Sequence, residues 1–215
     1  MIFFWIFLIL IGALAYLAGS LSTIRIASIF VYHRDLRRLG RGNTWLSNFR
    51  RIYGTGGIVT LFVIEIVKDL LPVLIGGWIL GIKEQALLGR AFAGFCLVLG
   101  RLWPVFNRFR GSYASLCVAV AAICVRPAIG GMSLAVFIFL LGFKRYMSVA
   151  TLAEVIVYVA LSMILIDESI IMTLCILTGL LVLIRLTPKI MQLIQGEEEK
   201  LSFKEDISYK FDQKF

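Results

Sequence analysis

Residues 35–54 read DLRRLGRGNTWLSNFRRIYG, a polar, cationic island in an otherwise oily chain. The island carries Arg37, Arg38, Arg41, Arg50 and Arg51 around Gly40 and Gly42, with Asn43, Ser47 and Asn48 among them. On either side lie apolar runs, at about residues 2–24 and 56–80, each long enough to cross a bilayer. Guanidinium forks take phosphate or carboxylate bidentately, and glycines let backbone N–H groups approach an anion. Such a density of donors beside hydrocarbon suits an anionic head group. Arginines at the cytoplasmic ends of spans also satisfy the positive-inside rule with no ligand at all, and composition alone does not separate the two readings.

Working outward, the 215 residues are 60% hydrophobic with a mean hydropathy of +0.93. That is the composition of an integral membrane protein, since a hydrocarbon core about 30 Å thick needs roughly 20 apolar helical residues per crossing. The net charge is +9. Its basic residues come in short groups between apolar runs, so anionic lipid or a phosphorylated substrate is the expected partner and nucleic acid is not. Cys96, Cys117, Cys124 and Cys175 fall in or beside apolar segments without CxxC spacing and read as small buried hydrophobes. His33 is the single histidine. A His-based triad or zinc site has little to build with, and no metal or cofactor is expected.

The expected fold is all-α, with seven transmembrane helices at about residues 2–24, 56–80, 85–102, 114–125, 130–143, 149–166 and 169–186. The fourth and fifth are short for an untilted crossing. The first run has no basic leader or small-residue cleavage site and reads as a retained helix. Glu65, Lys68, Asp69 and Pro72 lie inside the second. Ionisable groups there must face protein or water, and Glu65 and Lys68, three apart on one helical face, can neutralise each other. A second island, RLWPVFNRFRGSY at residues 101–113, places Arg108 and Arg110 around Phe109 and ahead of Gly111. Residues 1–196 form the membrane domain and 197–215 a charged cytoplasmic tail. Odd connections hold the basic groups, whereas even ones hold Lys83 with Glu84, Arg126, and Asp167 with Glu168. That asymmetry puts the N-terminus outside and both islands in the cytoplasm.

Taken together, these residues resemble the bacterial integral-membrane acyl-phosphate:glycerol-3-phosphate acyltransferases, the PlsY family, over nearly the whole chain. The family's aromatic and Gly-Ser in its first span appear as Tyr16, Gly19 and Ser20. Its first motif is matched in register by Asp35, Arg37, Gly40, Gly42, Asn43, Ser47 (for Thr), Asn48 and Arg51. Glu65, Lys68 and Pro72 follow the acid, lysine and proline of its next helix. Gly100, Pro104 and Phe106 match the second motif, with Phe109 and Gly111 beyond it, and Arg145, Tyr146 and Ser148 match its Arg-Tyr-x-Ser.

The chain also departs from the pattern. Arg41 replaces the first motif's serine, and Thr44, Trp45 and Leu46 replace its Pro-Gly-Ala. Arg101 replaces the second motif's histidine, and Arg110, Gly111, Ser112, Tyr113 and Ala114 replace its Lys-Gly-Gly-Lys-Gly. The third motif keeps Ile190 but has Lys189 for asparagine and Gln192 for arginine. The resemblance implies transfer of a fatty acyl group from acyl phosphate to glycerol 3-phosphate, or a related phosphorylated alcohol, in phospholipid synthesis. The alternative is a non-catalytic relative that binds lipid or acyl phosphate. Phosphate ligands would be Arg41, Asn43, Ser47, Asn48, Arg51, Arg108, Arg110 and Gly111, facing the cytoplasm from the cell (inner) membrane.

Overall fold

A computed structural model describes residues 2–34, 46–111 and 113–196, apart from the side chains at 2, 3, 46–48, 50, 51 and 55. Arg37, Arg38, Arg41 and Asn43, and the tail at 197–215, lie outside the described residues. Among those described, every regular element is helical: α1 (Ile2–Ser20), α2 (Thr23–Ile26) running into a π-helical turn (Ala27–Val31), α3 (Leu46–Gly81), α4 (Ala86–Leu102), α5 (Ser115–Val125), α6 (Pro127–Lys144), α7 (Met147–Leu165) and α8 (Ser169–Ile194). Each of the seven apolar runs is thus helical. Four helices among the described residues are long and apolar enough to cross a membrane, or five if α1 and the 23–31 segment make one span. α3 falls outside that set because Glu65, Lys68 and Asp69 put three charges into its apolar stretch.

The described residues divide into two compact units, the larger built from those up to 21 and from 66 onward and the smaller from those between 22 and 65, with α3 beginning in the smaller and ending in the larger. In the larger unit α5 is the central element. Its 11 residues rise only about 16 Å at 1.5 Å per residue, half a hydrocarbon core. Eight of them are buried, including Cys117, Val118, Ala119, Ala122 and Cys124. Small apolar side chains on every face let α4, α6 and α7 pack around it. α6 starts with Pro127 in its first turn, where the missing N–H costs nothing, and ends on Arg145 in the left-handed conformation (φ 63°). Cys175 is buried as well and Cys96 half-buried; all four cysteines are free thiols.

α1 lies against the last turns of α4 with the two backbones touching. A methyl group on Gly19 would overlap the Leu97 carbonyl, and one on Gly100 would overlap the Tyr16 carbonyl. Ser20 Oγ donates to Gly100 O at 3.3 Å, and Tyr16 OH to Trp103 O at 2.9 Å. The Gly-Ser pair of the first span is therefore a helix-packing device, as small residues in membrane helices commonly are. Lys68 reaches a neighbour on its own helix: its Nζ lies 3.1 Å from the carboxylate of buried Asp69 and donates to Leu21 O at 3.3 Å. The adjacent acid, overlooked because i and i+1 diverge on a helix, is reached by the long lysine stem.

Candidate functional site

The second cationic island is built from the end of α4. Trp103 and Pro104 stop the helix, and a single 3-10 turn follows (Val105–Asn107). Arg108 (φ 52°) and Phe109 (φ 59°) then take left-handed conformations that reverse the chain. Arg110 N donates to Asn107 O at 3.0 Å and Asn107 Nδ2 to Arg110 O at 2.7 Å, closing the turn on itself. Gly111 brings the chain back onto α4 so tightly that a Cβ there would overlap the Leu102 carbonyl. Glycine is obligatory at this position for closeness of approach. Arg108 and Arg110 are exposed, beside the exposed rings of Phe106 and Phe109.

Tyr113 is the hub of this end of the unit. Arg101 Nε donates to its carbonyl at 3.4 Å, its hydroxyl lies 3.1 Å from Ser148 Oγ at the start of α7, and Lys189 Nζ of α8 sits 5.9 Å from its ring centroid. Three separate sequence motifs thus meet at one residue. Arg101, standing where the resemblance has histidine, spends its Nε–H on the loop backbone. Among the described residues, the helix ends and connections here carry Arg101, Arg108, Arg110, Lys144 and Arg145, and the last turns of α8 add Arg185 and Lys189. Like charges gathered at one end of the unit create a field that concentrates anions. At the opposite ends of the same helices a cavity of about 180 Å³ is lined by Arg126, Asp167 and Glu168. Two carboxylates make it a poor host for phosphate.

The first island is framed within the smaller unit. Tyr32, ahead of it, stacks on Tyr53 with centroids 4.0 Å apart and meets Phe49 edge-on at 5.7 Å. Phe49 is fully buried against Ala27 and Leu61, and Tyr32 OH donates to Thr60 Oγ1 at 3.3 Å. These rings tie the two ends of the island together. Ser47, Asn48 and Arg51 fall in the first turns of α3, before Gly54 (φ 66°) breaks it. Glu65, further along, is buried.

Sequence reasoning passed over a buried polar row on α7: Ser148, Thr151 and Glu154, with Ser115 of α5 facing it. A lone carboxylate in an apolar run was the available signal, because an ionisable residue inside a span is costly and seldom idle.

An all-helical bundle with membrane-grade apolar helices and a cationic, hydroxyl-lined end defines an integral membrane protein. Its family follows from comparison: the chain belongs to the glycerol-3-phosphate acyltransferase family, whose model matches residues 9–196. It is 27% identical over 199 residues to the glycerol-3-phosphate acyltransferase of Thermoanaerobacter sp. (strain X514), covering 93% of this chain and 98% of that one. To the enzyme of that name from Synechococcus elongatus it is 29% identical over 195 residues, covering 89% and 93%. A crystal structure of PlsY (YgiH), an integral membrane glycerol 3-phosphate acyltransferase in its glycerol 3-phosphate form, matches with a TM-score of 0.70 at 25% identity, covering 91% of this chain and 96% of that one.

Proposed function

We propose that the chain transfers a fatty acyl group from acyl phosphate to glycerol 3-phosphate. The observation that carries this reading is the reach of the family match, residues 9–196, which takes in both cationic islands and the Tyr113 hub. In the reaction the free hydroxyl attacks the acyl carbonyl, the bond from that carbon to the phosphate oxygen breaks, and the proton passes to the departing phosphate. Such a step needs two anions held side by side, and effective positioning alone supplies much of the rate. The permanently protonated Arg101 is no base, so the leaving phosphate serves as acceptor. In this proposal the anion ligands are Arg41, Asn43, Ser47, Asn48 and Arg51 of the first island and Arg108, Arg110 and Gly111 of the second. Glu65 and Lys68 brace the helix below them.

In the same proposal the chain crosses the cell (inner) membrane seven times, with the N-terminus outside and the pocket facing the cytoplasm. The support is the charge asymmetry of the connections. Thiol labelling of Ser169→Cys and Ser202→Cys should occur from opposite sides; labelling from one side overturns the topology. The activity is tested with purified protein, acyl phosphate and glycerol 3-phosphate. Phosphate release that depends on both substrates supports it. Ligand binding without release supports a non-catalytic relative, a reading favoured by Tyr113 in place of the motif's second lysine.

A further inference from the structure

The end of α4 has two carbonyls that its own helix does not satisfy. In a continuing helix the Gly100 carbonyl would accept from the N–H of residue 104, but Pro104 has none. The Trp103 carbonyl would accept from residue 107, but the 3-10 turn directs the Asn107 N–H onto the Pro104 carbonyl at 3.1 Å. Both carbonyls are met from α1 instead. Ser20 Oγ donates to Gly100 O at 3.3 Å, and Tyr16 OH donates to Trp103 O at 2.9 Å. The two hydroxyls lie four residues apart on one face of α1. Gly100 and Pro104 are buried, so a carbonyl left bare here is costly. α1 thus caps the C-terminus of α4 with side chains of another helix.

The cationic turn follows directly on this cap. The Pro104 carbonyl accepts from Asn107 N at 3.1 Å and from Phe109 N at 3.0 Å, and the mutual Asn107–Arg110 bonds close the rest. Residues 104–110 are therefore tied into one piece. That piece joins α4 through the Trp103–Pro104 peptide, and the oxygen of this peptide is the atom that Tyr16 holds. A peptide unit is planar, so pinning its oxygen sets the direction in which the turn leaves the helix. Gly111 and the Arg101 bond to Tyr113 hold the returning arm of the loop; Tyr16 holds the departing one. We propose that Tyr16, with Ser20 one turn further along α1, is a positioning residue for the anion site, aiming Arg108 and Arg110 through the backbone of the turn. It acts by one hydroxyl on one carbonyl and touches no substrate. Its catalytic consequence rests on the acyl-transfer reading above; the cap itself does not.

The test uses the full chain in lipid nanodiscs with Tyr16→Phe, which keeps the ring and removes only the hydroxyl, and with Ser20→Ala. Backbone hydrogen exchange without substrate reads the cap directly. Tyr16→Phe should speed exchange at residues 105–110 about tenfold and leave residues 5–15 of α1 within about twofold. Calorimetric binding of glycerol 3-phosphate should weaken about fivefold, and in the acyl-transfer assay its KM should rise by the same factor with kcat within about twofold. Unchanged exchange at 105–110 in Tyr16→Phe overturns the proposal, as does equal loosening along α1, which would make Tyr16 a packing residue of the bundle. Loosening with affinity and KM both unchanged overturns the positioning role. If Tyr16→Phe does not fold, Ser20→Ala removes the companion bond and must show the loosening at 105–110. A wild type that binds glycerol 3-phosphate without acyl transfer, with looser exchange and weaker binding in Tyr16→Phe, would sink the proposed activity and leave the positioning role standing.

Discussion

The two cationic islands are held by different physics. The first is framed by aromatic rings, with Tyr32 before it packed against Phe49 and Tyr53 at its far end in one apolar cluster. The second is framed by backbone: left-handed Arg108 and Phe109, the mutual Asn107–Arg110 hydrogen bonds, and Gly111 lying against the Leu102 carbonyl. An aromatic clamp depends on volume and tolerates variation in the residues it encloses. A backbone clamp dictates residue type at each position, because a single extra carbon meets a carbonyl that cannot move. The departures from the family pattern follow that division in part. Thr44, Trp45 and Leu46 replace small residues inside the first island, whereas Gly111 persists in the second.

This contrast can be broken at its strongest point first. Phe49→Ala removes the buried centre of the aromatic clamp and should cost about 3–5 kcal/mol, read as a lowered melting temperature in mild detergent. Hydrogen exchange should rise at residues 46–53 and remain unchanged at 101–111; equal loosening of both would show that the islands share one frame. Gly111→Ala is next. The added methyl has to displace the Leu102 carbonyl, at a cost of about 3 kcal/mol, with the reverse exchange pattern. A stable Gly111→Ala variant with wild-type exchange would mean that the approach is not a constraint. The smallest effect asks whether the islands share a ligand. Arg51→Ala and Arg110→Ala should each remove a charge-assisted contact of about 1.5–3 kcal/mol and weaken glycerol 3-phosphate binding roughly ten- to a hundredfold, measured by calorimetry. If only one of them matters, the pocket belongs to a single island.

Much of the architecture was legible without coordinates. The seven apolar runs and the two islands are properties of local composition, because crossing hydrocarbon requires runs that no tertiary contact can supply. The near coincidence of α4 and α7 with their expected limits follows from that, whereas α8 runs on through Pro188 to Ile194, past its expected end near 186. Lys68 was less legible, since its partner Asp69 depends on how far a flexible stem bends back along its own helix. α6 begins at Pro127, earlier than expected, because proline in a first turn extends a helix that composition alone would start later.

Sequence alone therefore determined that this is a membrane protein with two arginine-rich islands, and which family those residues resemble. Only tertiary structure decided that α5 is a core element buried on nearly every face. Its alanines, valines and cysteines are apolar in all directions and carry no periodic sign of which side is covered. Tertiary structure also decided that Tyr113 meets Ser148 and Lys189, and that Ser115 meets Thr151. Those contacts join residues from three different helices and the loop before one of them, and which faces meet is set by the packing of neighbouring backbones, not by spacing along the chain.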